Sequence, residues 1–244
     1  MSKTLIFLDF DGVLCDSVKE AYLLTRFAYK NIDVKQPINN QDYQMFQNYR
    51  FLVANSWQYC ILADVLENYS YQDADFIETR YRYIAADGKT AQCDEFNKKF
   101  LAKRKELMEQ DFEFWNSLET PTNFLQKLKN IIAQADESSF AILSTKNKDA
   151  IIKKFNFWGV DFDPNLIFDK KDLENLSKGE FIKRYLDSHS DIDEAILIDD
   201  NEDNINSCAN IKNLKACLTS WGYLKSPEGK MSEDDVLKII KENV

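Results

Sequence analysis

Five short stretches of the chain are almost unbroken in apolar residues: TLIFLD (4–9), SFAILST (139–145), NLIFD (165–169), EAILIDD (194–200) and KACLTS (215–220). Runs of this kind, separated by segments with helical spacing, describe strands covered on both faces, and therefore a parallel sheet with helices on either side. The expected fold class is α/β. Helices are expected from Thr120-Pro121, read as an N-cap followed by a proline in the first turn, to about Ala135, and at about 148–157, 178–187, 202–211 and 233–242.

The spacing of these strands is uneven. Between the first and the second, from Ser17 to about Leu118, there is little strand character, and stretches such as KEAYLLTRFAYKN and CDEFNKKFLAKRKELMEQDFEFW place apolar residues at helical intervals. A crossover of that length exceeds an ordinary βαβ connection. We therefore expect a helical domain at 18–118, inserted into a core made of 1–17 and 119–244. No internal repeat or low-complexity tract interrupts either part.

Composition limits the chemistry. A formal charge of −10 argues against broad attraction to nucleic acid or to an anionic membrane, so no nucleic-acid or membrane partner is expected. No apolar run approaches the roughly 18 residues that a bilayer requires, and in the start MSKTLIFLDF the apolar run that meets Asp9 is too short for the h-region of a signal peptide. The cysteines, Cys15, Cys60, Cys93, Cys208 and Cys217, are odd in number and form no CxxC pair, as suits reduced thiols in a cytoplasmic protein. His189 is the only histidine and lies in the polar segment DSHSD, which excludes a His-rich zinc site. No feature sets an oligomeric state.

The first strand runs directly into Asp9, Asp11 and Gly12. Two acids separated by one residue leave an extended backbone on the same side, beyond the carboxyl end of the strand, where open α/β sheets bind ligands. A second acidic group, Asp199, Asp200 and Asp203, ends the fourth run. Carboxylates converging there repel unless a cation offsets them, and an all-oxygen donor set favours Mg²⁺. Ser144 and Thr145 end the second strand, where a hydroxyl can hold an anionic oxygen. Ser177 and Glu180 form a capping box that puts Lys178 in the first turn of a helix, against the helix dipole.

In this order and at these strand ends, FLDFDGVLCDS, AILST, SKGEF and ILIDDNEDN resemble the four motifs of the haloacid dehalogenase (HAD) superfamily. The ending LTSWGYLKSPE is similar to the phosphoglycolate-phosphatase-like branch. The resemblance implies a Rossmann-like core with a type 1 helical cap that closes over the site, and a Mg²⁺-dependent phosphatase acting on a small phosphorylated metabolite. Asp9 would be the nucleophile that becomes an aspartyl phosphate, and Asp11 the acid and base. Ser144 would hold the phosphoryl group, with Thr145 competing for that place, and Lys178 would offset charge, with Lys146, Lys170 and Lys171 nearby in sequence. The metal would be held by the Asp9 carboxylate, the Asp11 carbonyl and Asp200, with Asp199 a second contact. Asp200 to Asn204 and Asp199 to Asp203 both meet the spacing of the fourth motif. In the cap, Arg50 is suited to grip a substrate anion, a surface salt bridge being the plainer use of it. A phosphomutase of the same branch and a non-catalytic phospho-ligand binding protein are the rival readings.

Overall fold

The computed structural model describes residues 3–136 and 139–244. It divides into two compact units, Met1–Asp16 with Thr120–Val244, and Ser17–Glu119. In chain order the elements are β1 (Thr4–Leu8), β2 (Cys15–Asp16), α1 (Val18–Lys30), α2 (Asn40–Tyr49), α3 (Tyr59–Tyr69), α4 (Ala74–Ala86), α5 (Ala91–Gln110), α6 (Phe112–Asn116) and β3 (Thr120–Pro121). There follow α7 (Asn123–Ile132), β4 (Phe140–Leu143), α8 (Lys148–Trp158), β5 (Ile167–Phe168), α9 (Lys170–Leu173), α10 (Lys178–Ser188), β6 (Glu194–Asp199), α11 (Glu202–Asn206), β7 (Leu214–Leu218) and α12 (Glu233–Lys241).

Among the described residues, five strands form one sheet in the order β5-β4-β1-β6-β7, each pair parallel. The period-two geometry of β1 explains why its sequence is apolar from Leu5 to Leu8. Ile6 and Leu8 join Phe124, Leu128, Ile151, Phe155, Val236 and Ile240 on one face, while Leu5 and Phe7 join Leu173, Ile182 and Cys208 on the other. Both faces are covered from Leu5 to Leu8, and the one polar residue of the strand, Thr4, stands at its start.

Two sequence expectations need correction. Thr120 and Pro121 do not open a helix; they pair antiparallel with Asp16 and Cys15 as β3 against β2. Proline has no N–H to lose at the end of so short a ladder. Helix α7 begins after Thr122, whose Oγ1 accepts from Leu125 N at 3.2 Å and donates to the Val13 carbonyl at 2.8 Å. The helix expected at 202–211 is also shorter, ending at Asn206. Beyond it the chain continues in tight turns, Cys208 N to Ile205 O at 3.0 Å and Ile211 N to Cys208 O at 3.1 Å, before Asn213 adopts φ 62° and enters β7.

Helices α1 to α6 build the second unit. Its interior is a run of aromatic rings, Tyr22 to Phe46, Phe46 to Tyr59 and Tyr59 to Phe100, with centroids 5.4, 5.6 and 5.5 Å apart. Beside it lies a charge that the sequence does not advertise. Glu20, fully buried on α1, accepts two bonds from Arg104 at 2.8 and 2.6 Å and a third from Trp115 Nε1 at 2.8 Å. Among the described residues no disulfide forms, all five cysteines are buried, and no helix is long and apolar enough to cross a membrane.

Removing one partner of a buried, hydrogen-bonded ion pair leaves the other desolvated, at a cost of about 3–5 kcal/mol. Glu20→Ala is therefore expected to lower the stability of the helical unit by about 3 kcal/mol in urea unfolding followed by circular dichroism. A loss below about 1 kcal/mol would show that Arg104 and Trp115 find solvent or other partners.

Candidate active site

The chain leaves β1 for β4 and β5 on one side, then returns to β6 and β7 on the other, so the order of the strands reverses between β1 and β6. At such a switch point the loops diverge and leave a crevice beyond the strand ends. The register brings Leu8 opposite Ile198, and Asp9 N donates to the Ile198 carbonyl at 2.9 Å. Asp9 and Asp199 thus emerge side by side.

Lys178 lies between them. Its ammonium is 2.9 Å from Asp9 Oδ1 and 2.7 Å from Asp199 Oδ2, and all three residues are buried. The capping box is present: Ser177 Oγ accepts from Glu180 N at 3.2 Å, while Glu180 Oε2 accepts from Ser177 N at 2.9 Å. Lys178 occupies the unfavourable first turn of α10 because two carboxylates are there to receive it. Burial works to lower its pKa, but Asp199 and Asp9 outweigh that and hold the ammonium above the usual lysine range. Burial pushes the Asp9 carboxyl up to about 6, against the pull of Lys178 and with the push of Asp199 and Asp11.

Asp199 and Asp200 play different parts. Both Asp199 oxygens accept from Asn204 Nδ2 at 3.1 Å, and Oδ1 also accepts from Asn201 N at 2.8 Å. Asp199 is thereby held by Asn204, Asn201 and Lys178 together. Asp200 turns the other way, with Oδ2 accepting from Tyr223 N at 2.6 Å. Two glycines make room for it: a Cβ on Gly12 would stand 2.1 Å from Asp200 Oδ2, and one on Gly222 would stand 2.2 Å from Asp200 Cβ. Gly12 also has φ +92°, a region that a side chain would strain.

Asp11 stands apart from this group. Its Oδ1 accepts from Lys146 Nζ at 2.9 Å; the Lys146 side chain is fully buried and its ammonium lies 5.3 Å from the centre of the Phe10 ring. Of the two hydroxyls after β4, Ser144 is buried and accepts from Lys146 N at 3.3 Å, while Thr145 is exposed. Lys170 and Lys171 are exposed, and so is Asp203, whose N–H bonds to the Asn201 side chain at the start of α11. Arg50 belongs to the helical unit, where its Nη1 donates to the Val53 carbonyl at 2.6 Å and its guanidinium lies 5.2 Å from the centre of the Tyr59 ring. His189 caps the end of α10, stacked on Tyr185 with ring centroids 3.9 Å apart.

Three residues of this edge are absent from the sequence reading as site residues. Tyr223 contributes only its backbone N–H, and Gly222 only an absence of bulk; neither has a residue-type signature. Trp221, whose Nε1 donates to the Val13 carbonyl at 3.1 Å, pins the same segment beside Gly12.

The arrangement suits a hard cation. One oxygen each from Asp9, Asp199 and Asp200 lie within 4.8 Å of one another, and the single ammonium among them does not balance three carboxylates.

Comparison with family models finds no match, and no curated protein matches. Solved structures do. The chain resembles a structure from Lactobacillus delbrueckii subsp. bulgaricus assigned as a phosphoglycolate phosphatase, with TM-score 0.63 and 12% identity over 100% of this chain and 99% of that one. A HAD-superfamily hydrolase of subfamily IA, variant 1, from Geobacter sulfurreducens matches with TM-score 0.56 and 12% identity over 98% and 96%. Protein Tyrosine Kinase A of Mycobacterium tuberculosis matches with TM-score 0.62 and 13% identity over 98% of each chain. At these identities the likeness is one of fold: the chain has the α/β Rossmann-like fold of HAD-superfamily proteins.

The raised Asp9 carboxyl carries a stability consequence. The folded, metal-free chain binds a proton there more tightly than the unfolded chain does, so this group's contribution to stability grows as pH falls through about 6. Asp9→Asn is expected to stabilise the metal-free protein at pH 7 by about 1–2 kcal/mol, since the raised carboxyl marks the Asp9 charge as unfavourable on balance and Lys178 keeps Asp199 as its partner. The gap should narrow as urea unfolding is repeated at lower pH. A destabilised variant, or a gap that widens below pH 6, would show that the Lys178 pair outweighs the cost of burial.

Proposed function

We propose that the chain is a Mg²⁺-dependent phosphatase that hydrolyses a small phosphorylated metabolite through an aspartyl phosphate. The observation that carries this reading is Asp9, a buried carboxylate at the switch point, held by Lys178 and followed two residues later by a second acid with its own lysine. The likeness in fold to structures assigned as a phosphatase and as a HAD-superfamily hydrolase supports it.

In the first step an Asp9 oxygen attacks phosphorus and the bond from phosphorus to the leaving oxygen breaks. Asp11 gives its proton to that oxygen and becomes a carboxylate. In the second, Asp11 takes a proton from water as the water oxygen attacks phosphorus. This frees phosphate and restores the Asp9 carboxylate. Ser144 is placed to hold a phosphoryl oxygen, and Lys178 offsets the negative charge shared by Asp9 and the phosphoryl group. Asp9, Asp200 and the Asp11 carbonyl would hold Mg²⁺, which when bound supplies positive charge to the phosphoryl oxygens. Asp199 acts through Lys178.

A phosphomutase needs further groups to hold and reorient a sugar, and nothing observed favours it. A pure phospho-ligand binder has use for Lys178 and Ser144 but none for Asp11.

The test is release of phosphate from 4-nitrophenyl phosphate with and without Mg²⁺. Wild type is expected to turn over only with the metal, and Asp9→Asn to lose at least roughly a thousandfold. Mg²⁺ should also raise the melting temperature of wild type by mass action, and this shift should vanish in Asp200→Ala. Turnover that survives Asp9→Asn would refute the aspartyl route; inertness toward aryl and metabolite phosphates alike would leave the binder.

A further inference from the structure

Lys146 is a buried cation that the steps above do not use. It follows Ser144 by two residues at the exit of β4, which neighbours β1, and its ammonium reaches across to Asp11 rather than to Asp9. The side chain is fully buried, whereas the Asp11 side chain it meets retains 22% exposure. The contact is therefore made at the inner end of the Asp11 carboxylate. The Phe10 ring lies under the ammonium, and the Lys146 backbone N–H meets Ser144 Oγ at 3.3 Å. One residue thus touches the side chains of both Ser144 and Asp11. The other buried lysine of this edge, Lys178, is bound to Asp9 and Asp199.

We infer that Lys146 is a positioning residue, which fixes the Asp11 carboxylate in the orientation from which it serves the leaving oxygen. This rests on the phosphatase reading. The two lysines divide the work: Lys178 serves the phosphoryl end of the breaking bond, and Lys146 serves the leaving-group end through Asp11. A short acid can turn about its Cα–Cβ and Cβ–Cγ bonds, and a proton donor that is out of line loses most of its effect. A buried ammonium at 2.9 Å, itself held against an aromatic face, removes that freedom.

The consequence is specific to the leaving group. An oxygen that departs as a stable anion, as from 2,4-dinitrophenyl phosphate, needs no proton; one that departs as an alkoxide does. Lys146→Met is accordingly expected to keep close to the wild-type kcat/KM on 2,4-dinitrophenyl phosphate, since kcat/KM reports only the step in which the leaving group departs, and to lose roughly 100-fold in kcat/KM on phenyl and alkyl phosphates. Lys146→Arg, which keeps a cation at the same place, should recover most of that loss. Should the methionine variant fail to fold by circular dichroism, the series is read on Lys146→Gln. Equal loss across the series, or none, overturns the assignment while wild-type turnover leaves the phosphatase reading standing. Wild type inert on every ester overturns both.

Discussion

A buried lysine between two carboxylates organises the carboxyl edge of this sheet. Lys178 brings together Asp9 from β1, Asp199 from β6 and the first turn of α10, and each contributor is placed by a separate feature of the chain. The parallel register sets the two acids side by side. The capping box starts α10 at the right residue. Gly179 then lets the helix lie against the turn after α11, where a Cβ would stand 2.2 Å from the Ser207 carbonyl oxygen, and its N–H bonds to Ser207 Oγ at 3.0 Å. Loss of Lys178 would leave two carboxylates buried side by side without their counter-charge, so the fold and the site stand on the same contacts.

What the sequence makes legible follows from how each part is held. The strands are readable because burial on both faces removes polar residues from them, and Asp9, Asp199 and the Ser177 to Glu180 box are readable because they sit at the ends of those strands or open a helix. The competition among Lys146, Lys170 and Lys171 is not, because it turns on which way a short loop faces, and only the pairing of β4 with β1 points Lys146 inward. Ser144 against Thr145 is decided in the same way, by alternation at the strand exit. Glu20 is illegible for another reason: its partners lie 84 and 95 residues away, on helices whose packing no local pattern specifies.

Fold alone does not decide chemistry here. Structures assigned as a phosphatase and named as a tyrosine kinase match this chain about equally well, with TM-scores of 0.63 and 0.62. The choice among reactions rests on individual side chains, and above all on the two acids after β1. A carboxylate that only has to balance a cation can stand anywhere in the crevice. Asp11 does not join the cluster of Asp9, Asp199 and Asp200, and its Oδ1 pairs with the buried Lys146. On the proposed reading that separation suits a proton-transfer group, because a group that gives up and takes back a proton cannot also be the fixed counter-charge of an ion.

The same edge is costly to the folded state. Three carboxylates and two ammonium groups are withdrawn from water at the strand ends, where apolar residues of similar volume would pack without penalty. The Asp9 carboxyl, pushed up to about 6, marks where that cost concentrates. A metal-free chain carries it uncompensated, whereas a divalent ion at the cluster offsets the excess negative charge and a bound phosphoryl group adds to it again. On the proposed reading the ion and the substrate would pull the site in opposite electrostatic directions. Lys178, shared between Asp9 and an acid fixed by Asn204, would then keep that balance as charge moves from one to the other.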